Sequence, residues 1–150
     1  MPIIVNETEI NDDTVFSEMQ YHPADQMEDA RDAAAQALVV RELLKQEAAR
    51  QGIDGATGTD EDLDAALMAL VEKEVVAPAA TSEHCRTYYE QNKDKFLASD
   101  ASSSVIPFDM VEDKIRDYLH TRSIREGIRA YVLNLAGDAH ISGFDLAASL

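Results

Sequence analysis

From about Phe108 to Ala136, apolar side chains recur every three or four residues with no proline to interrupt them. Val111, Ile115, Tyr118 and Leu119 mark the first stretch, and Ile124, Ile128, Tyr131, Val132 and Leu135 continue it. That spacing is one face of an α-helix. At about 1.5 Å per residue the helix is roughly 40 Å long. One compact domain of 150 residues does not need that length, so part of the helix is expected to project or to pack on a second chain. Gly127 is a point where it can bend, and Gly137 closes it. The composition also favours helices. Aromatic residues make up 6% of the chain and Trp is missing, so Ala and Leu must fill the core.

Four further helices are expected upstream. Asn11 or Asp12 can cap a short one running to about Tyr21. His22-Pro23 starts the next, over about residues 24–51, since Pro is tolerated in a first helical turn. Its face is read as Ala33, Ala37, Val40, Leu44 and Ala48, widened by Ala34 and Leu38. Gly52 closes it, and the glycines from Gly52 to Gly58 form a loop. Leu63, Leu67, Leu70, Val71 and Val75 then define a helix over about 60–76, stopped by Pro78. Thr81 or Ser82 caps another from His84 to Asn92, on which Cys85, Tyr88 and Tyr89 share helical spacing.

Strand signals stand only at the two ends. Ile3-Ile4-Val5 is β-branched and leads through Asn6-Glu7 to Thr8-Glu9-Ile10, and Ala139-His140-Ile141 reads as a terminal strand. The two ends are expected to pair as a small β-sheet. The expected fold is therefore mainly α, about five helices in a single domain spanning 1–150, with a segment-swapped dimer as a further possibility. Residues 97–105, rich in Ser and Ala, form a flexible linker.

Thirteen basic residues against 29 acidic ones give a formal net charge of -16. That field repels phosphate backbones and anionic lipid surfaces, so neither nucleic acid nor a membrane is an expected partner. It serves solubility, and it would also favour basic partners. No apolar stretch approaches the ~20 residues of a membrane span. The N-terminus lacks the basic segment and long apolar run of a signal peptide. The single cysteine, Cys85, excludes an intramolecular disulfide. A cytoplasmic protein is the simplest reading.

Catalytic chemistry finds no motif. His22, His84, His120 and His140 are widely separated, so no metal site is expected. Cys85 reads as a small core residue rather than a nucleophile. Gly55-Ala56-Thr57-Gly58 resembles a phosphate loop but has no Lys after it and no strand before it. No catalytic residue, metal or cofactor is assigned, and the chain is expected not to be an enzyme.

Four stretches together resemble the flanks of a SurA-like or nitrogenase-accessory-type parvulin, a family of peptidyl-prolyl isomerase chaperones. They are Ile4-Val5-Asn6-Glu7 with Ile10; Ala37 to Leu44 with Glu47-Ala48; Glu74-Val75 through Pro78 to Cys85-Arg86, Tyr88-Tyr89, Asn92 and Phe96; and Ile106-Pro107-Phe108 through the long helix to Ala139-His140-Ile141-Ser142-Gly143. In that family a complete isomerase domain stands between the equivalents of Phe96 and Ile106, where this chain has only Leu97 to Val105. The resemblance implies a non-catalytic chaperone or accessory domain. It would bind unfolded or maturing client polypeptides and lack prolyl isomerase activity. Met19, Tyr21, Met27, Met68, Tyr88, Phe96 and Met110 are the candidate client-binding residues, because Met and aromatic side chains adapt to varied apolar ligands. The same side chains at helical spacing also serve as ordinary core. A structural dimerisation module without client binding is the alternative.

Overall fold

A computed structural model of the chain describes residues 2–98 and 104–150. Most of the expected linker, residues 99–103, lies outside the described residues. The elements are β1 (Ile3–Val5), β2 (Thr8–Ile10), α1 (Asp12–Glu18), α2 (Met27–Arg50), α3 (Asp60–Glu74), α4 (Ser82–Gln91), α5 (Phe108–Gly137), β3 (Ile141–Ser142) and α6 (Leu146–Ser149). Short 3-10 turns follow α1 at Met19–Tyr21 and α4 at Lys93–Phe96. The fold is mainly helical, and its strands form a three-stranded antiparallel sheet in the order β2-β1-β3.

Contacts within the chain fall into two compact units. One holds residues up to Val75 together with Ile128–Leu150, and the other is Val76–Gly127. In the first unit β1 is the central strand. Ile3 and Val5 point into the core while Ile4 is exposed, the alternation a half-buried strand requires. Ile3 pairs with Ile10 and Val5 with Thr8, and Val5 also pairs with Ile141. Among the side chains that complete this core are Ala34, Val39 and Ala48 of α2, Leu70 of α3 and Val132 of α5. Ala34 and Ala48 are fully buried, and their small side chains let neighbouring backbone come close.

Local signals set the helix starts. The Asn11 side chain accepts from Thr14 N–H at 2.8 Å. Thr59 and Asp62 form a reciprocal capping box. Thr81 caps α4 through His84 N–H at 3.1 Å. Four expectations need correction. The second helix starts at Met27 rather than near residue 24, leaving Pro23 in the preceding loop. Its buried stripe is Ala30, Ala34, Ala35, Val39, Leu43, Leu44 and Ala48, with Ala33, Ala37 and Val40 only half-buried. The terminal strand begins at Ile141, because Asp138 and Ala139 N–H groups close the end of α5 on Leu135 and Ala136 carbonyls. A sixth helix, α6, follows it, capped by the Asp145 carboxylate on Ala148 N–H at 3.1 Å.

The second unit packs Cys85 and Tyr89 of α4 against Phe108, Val111, Ile115 and Leu119 of α5. The Arg116 guanidinium joins the two helices. It donates to the Ala80 carbonyl at 3.2 Å, to Ser82 Oγ at 3.1 Å and to Glu112 at 2.6 Å. Leu97 and Val105 form an antiparallel bridge, and Ile106 N–H donates to the Phe96 carbonyl at 2.7 Å.

Candidate functional site

A concavity of about 1020 Å³ lies within the first unit. Its walls are α1, the 3-10 turn that follows, the first turns of α2, and the Gly143-Phe144 turn after β3. The deepest side chains are Ile3 of β1, Val15 of α1 and Ala35 of α2, all buried and apolar. Met19 and Phe144 are half-buried and pack on the same core. At the mouth stand Phe16, 72% exposed, and Met27, 74% exposed. Singly exposed apolar residues are ordinary, but here two large ones stand at the mouth of the same concavity, above an apolar floor.

Backbone geometry sets that wall. Gly143 has φ +84°, and a Cβ there would lie 2.6 Å from the Pro2 carbonyl oxygen. Glycine therefore lets the C-terminal turn approach the start of β1, and this places Phe144 beside Ile3 in the groove wall. On the opposite side, Val15 turns inward and Phe16, the next residue on α1, turns outward.

Asp12, Asp13, Glu28 and Asp32 surround the opening, with Arg31 the single cationic side chain in the lining. Asp13, Glu28, Asp32 and Arg31 have no ion-pair partner among the described residues. Glu28 and Asp32 are four apart on α2, a like-charged spacing that opposes the helix slightly.

A second concavity in the same unit, about 650 Å³, is polar. Arg50 bonds Glu47 through two guanidinium nitrogens, Lys73 donates to Gln51 Oε1 at 2.8 Å, and Gln51 donates to Glu74 at 3.2 Å. The Arg50 hydrogen bond holds the Glu47 carboxyl below the usual carboxylate range. Burial pushes the Tyr131 hydroxyl up, and it finds no hydrogen-bond partner among the described residues. Nearly every charged group here is already satisfied internally, so this site offers less to a ligand than the apolar groove.

The candidate client-binding residues do not all converge. Met19 and Met27 line the groove. Tyr21, 70% exposed, ends the adjacent 3-10 turn without lining it. Met68 on α3 is exposed outside it. Tyr88 and Phe96 belong to the second unit, in edge-to-face contact with ring centroids 6.2 Å apart. Met110 is exposed on the part of α5 that belongs to the same unit. Phe16 and Phe144, which the sequence did not single out, are the groove's aromatic side chains. The three-residue spacing of Phe16 and Met19 was the available signal for the first. Among the described residues no group of three or more His, Cys, Asp or Glu side chains could hold a metal ion, and no helix is long and apolar enough to cross a membrane.

No protein-family model, curated protein or solved structure matches the chain.

Proposed function

We propose that this protein is a non-catalytic, cytoplasmic chaperone or accessory domain that holds unfolded or maturing client polypeptides. The observation that carries the reading is the open groove with a buried apolar floor and exposed Phe16 and Met27 at its mouth. An unfolded segment gains by burying apolar side chains there, at about 25 cal/mol per Å² removed from water. The acidic surface keeps the loaded protein soluble. The resemblance to the flanks of a parvulin-type chaperone adds support. The backbone on either side of the short 97–105 segment meets at the Phe96–Ile106 hydrogen bond, as insertion of a whole domain there would require. With no isomerase domain between them, the chain has no prolyl isomerase activity on this reading.

Light scattering from a thermally unfolding client protein tests the proposal. The protein should suppress client aggregation at near-stoichiometric ratio, and Phe16→Ser with Met27→Ser should abolish the effect without changing its own far-UV spectrum. Full aggregation in the presence of the folded wild-type chain would overturn it. A dimeric mass together with full aggregation would point instead to a structural dimerisation module.

A further inference from the structure

Resting on the polypeptide-holding reading above, we infer that the α1–α2 groove selects segments in which a large apolar side chain is flanked by Lys or Arg. Two independent features of the same opening carry this. The floor and mouth are apolar, with Phe16 and Met27 presenting most of their surface to solvent. The rim is anionic: Asp13, Glu28 and Asp32 stand against Arg31, three formal negative charges to one positive, none of them neutralised by an ion pair among the described residues. The protein's overall charge of -16 has the same sign, so the long-range field and the local rim act together on an approaching cation.

Each half of the occupant follows from one half of the site. A purely apolar segment leaves Glu28 and Asp32 unrelieved four residues apart on α2. An acidic segment adds like charge at a rim that already carries it. A basic residue two or three positions from the buried apolar side chain can reach the rim while its aliphatic stem covers Phe16 or Met27. The carboxylates are at the edge rather than the floor, so they are not desolvated in advance. Each ion pair formed there contributes about a two- to five-fold gain in affinity, and two together about ten-fold. Pairs formed by solvent-exposed carboxylates are weakened by salt, and the longer-range attraction is screened beyond about 8 Å at physiological ionic strength, which makes the preference salt-dependent. The apolar contact is not weakened in the same way.

Fluorescence anisotropy with the full chain tests this. Three short labelled peptides share one Leu-Phe-Leu centre and differ only in flanking Lys, Ser or Glu. The Lys-flanked peptide is expected to bind about ten-fold more tightly than the Glu-flanked one at low salt. High salt should shrink that ratio to within about two-fold, and so should the double variant Asp13→Asn with Asp32→Asn. Phe16→Ser should weaken all three. Equal binding of all three peptides, with aggregation suppression intact, would overturn the charge preference and leave the holding function standing. Binding of the Lys peptide unaffected by both Phe16→Ser and the double variant would place the site elsewhere and overturn the inference. A second copy of this chain occupying the groove, seen as dimerisation that no peptide displaces, would overturn it too. Absence of peptide binding and of aggregation suppression together would sink both readings.

Discussion

Asn6 and His140, 134 residues apart, hold each other by two hydrogen bonds: Asn6 N–H donates to the His140 carbonyl at 2.7 Å, and His140 N–H donates to Asn6 Oδ1 at 2.9 Å. Asn6 also occupies the left-handed region, φ 56°, in the turn between β1 and β2, and its Nδ2 donates to Gln46 of α2 at 2.6 Å. One side chain therefore ties the hairpin, the long second helix and the C-terminal turn. Asn tolerates that backbone region better than most residues.

Asn6→Ala should lower stability by about 2–3 kcal/mol, through two lost side-chain hydrogen bonds and a strained φ. Asn6→Gly removes the same bonds but relieves the φ, so it should cost about 1 kcal/mol less. Urea denaturation of both variants checks the split. Equal losses would mean that the turn conformation contributes nothing.

Gly143 and Gly52 both have positive φ, +84° and +72°, but only Gly143 has backbone where a Cβ would go. Gly52→Ala should cost about 1 kcal/mol. Gly143→Ala should cost about 3 kcal/mol, since the clash with Pro2 is added to the strain. It should also weaken peptide binding in the groove, because Phe144 follows directly. Thermal melts and anisotropy on the two variants give the comparison.

The Tyr89 hydroxyl donates to the Ile106 carbonyl at 2.6 Å from a side chain only 7% exposed. Tyr89→Phe should destabilise by about 1–2 kcal/mol, because the partner carbonyl is left unsatisfied. Amide exchange at Ile106 and Ala98, which bond across the ends of the 97–105 segment, should accelerate. Tyr118→Phe, at a half-exposed position, should stay within about 0.5 kcal/mol.

Acid should expose the Glu47–Arg50 pair. Arg50 lowers the Glu47 carboxyl in the folded state, so the folded chain releases that proton more readily than the unfolded one. The resulting stability is fully present above the unfolded value, roughly pH 4.3, and is lost as pH falls through the lowered folded value. Glu47→Gln should therefore melt lower than wild type at pH 7, with the gap closing toward pH 3. A gap independent of pH would show that the difference comes from packing rather than ionisation.

The helices were legible because their causes are local. Apolar spacing, the Asn11, Thr59 and Thr81 caps and Gly52 all act within a few residues along the chain, and the elements built on them appear near their expected bounds. The α2 face was less legible. Residues 33–35 and 37–40 are all apolar, so the sequence offers several overlapping stripes. Packing against the sheet, α1 and α3 chose the stripe through Ala35, Val39 and Leu43. The four-residue α6 carries too short a pattern to read, and its Asp145 cap has meaning only once Leu146 has a core to enter.

The sequence by itself determined a mainly helical, strongly acidic chain with a β-branched run at its start and a second strand near its end. Those properties depend on composition and on contacts between near neighbours. The pairing of the two ends was expected from those runs, but only the tertiary structure decided its register, Val5 against Ile141 and Ile4 against Ser142, because those partners are more than 130 positions apart. It also decided which apolar side chains remain open to a partner. Met19 and Met27 line a groove with Phe16 and Phe144, whereas Tyr88 and Phe96 pack beside the core of the other unit. Whether a side chain of a given type is buried or exposed depends on what arrives opposite it, and what arrives comes from distant parts of the chain.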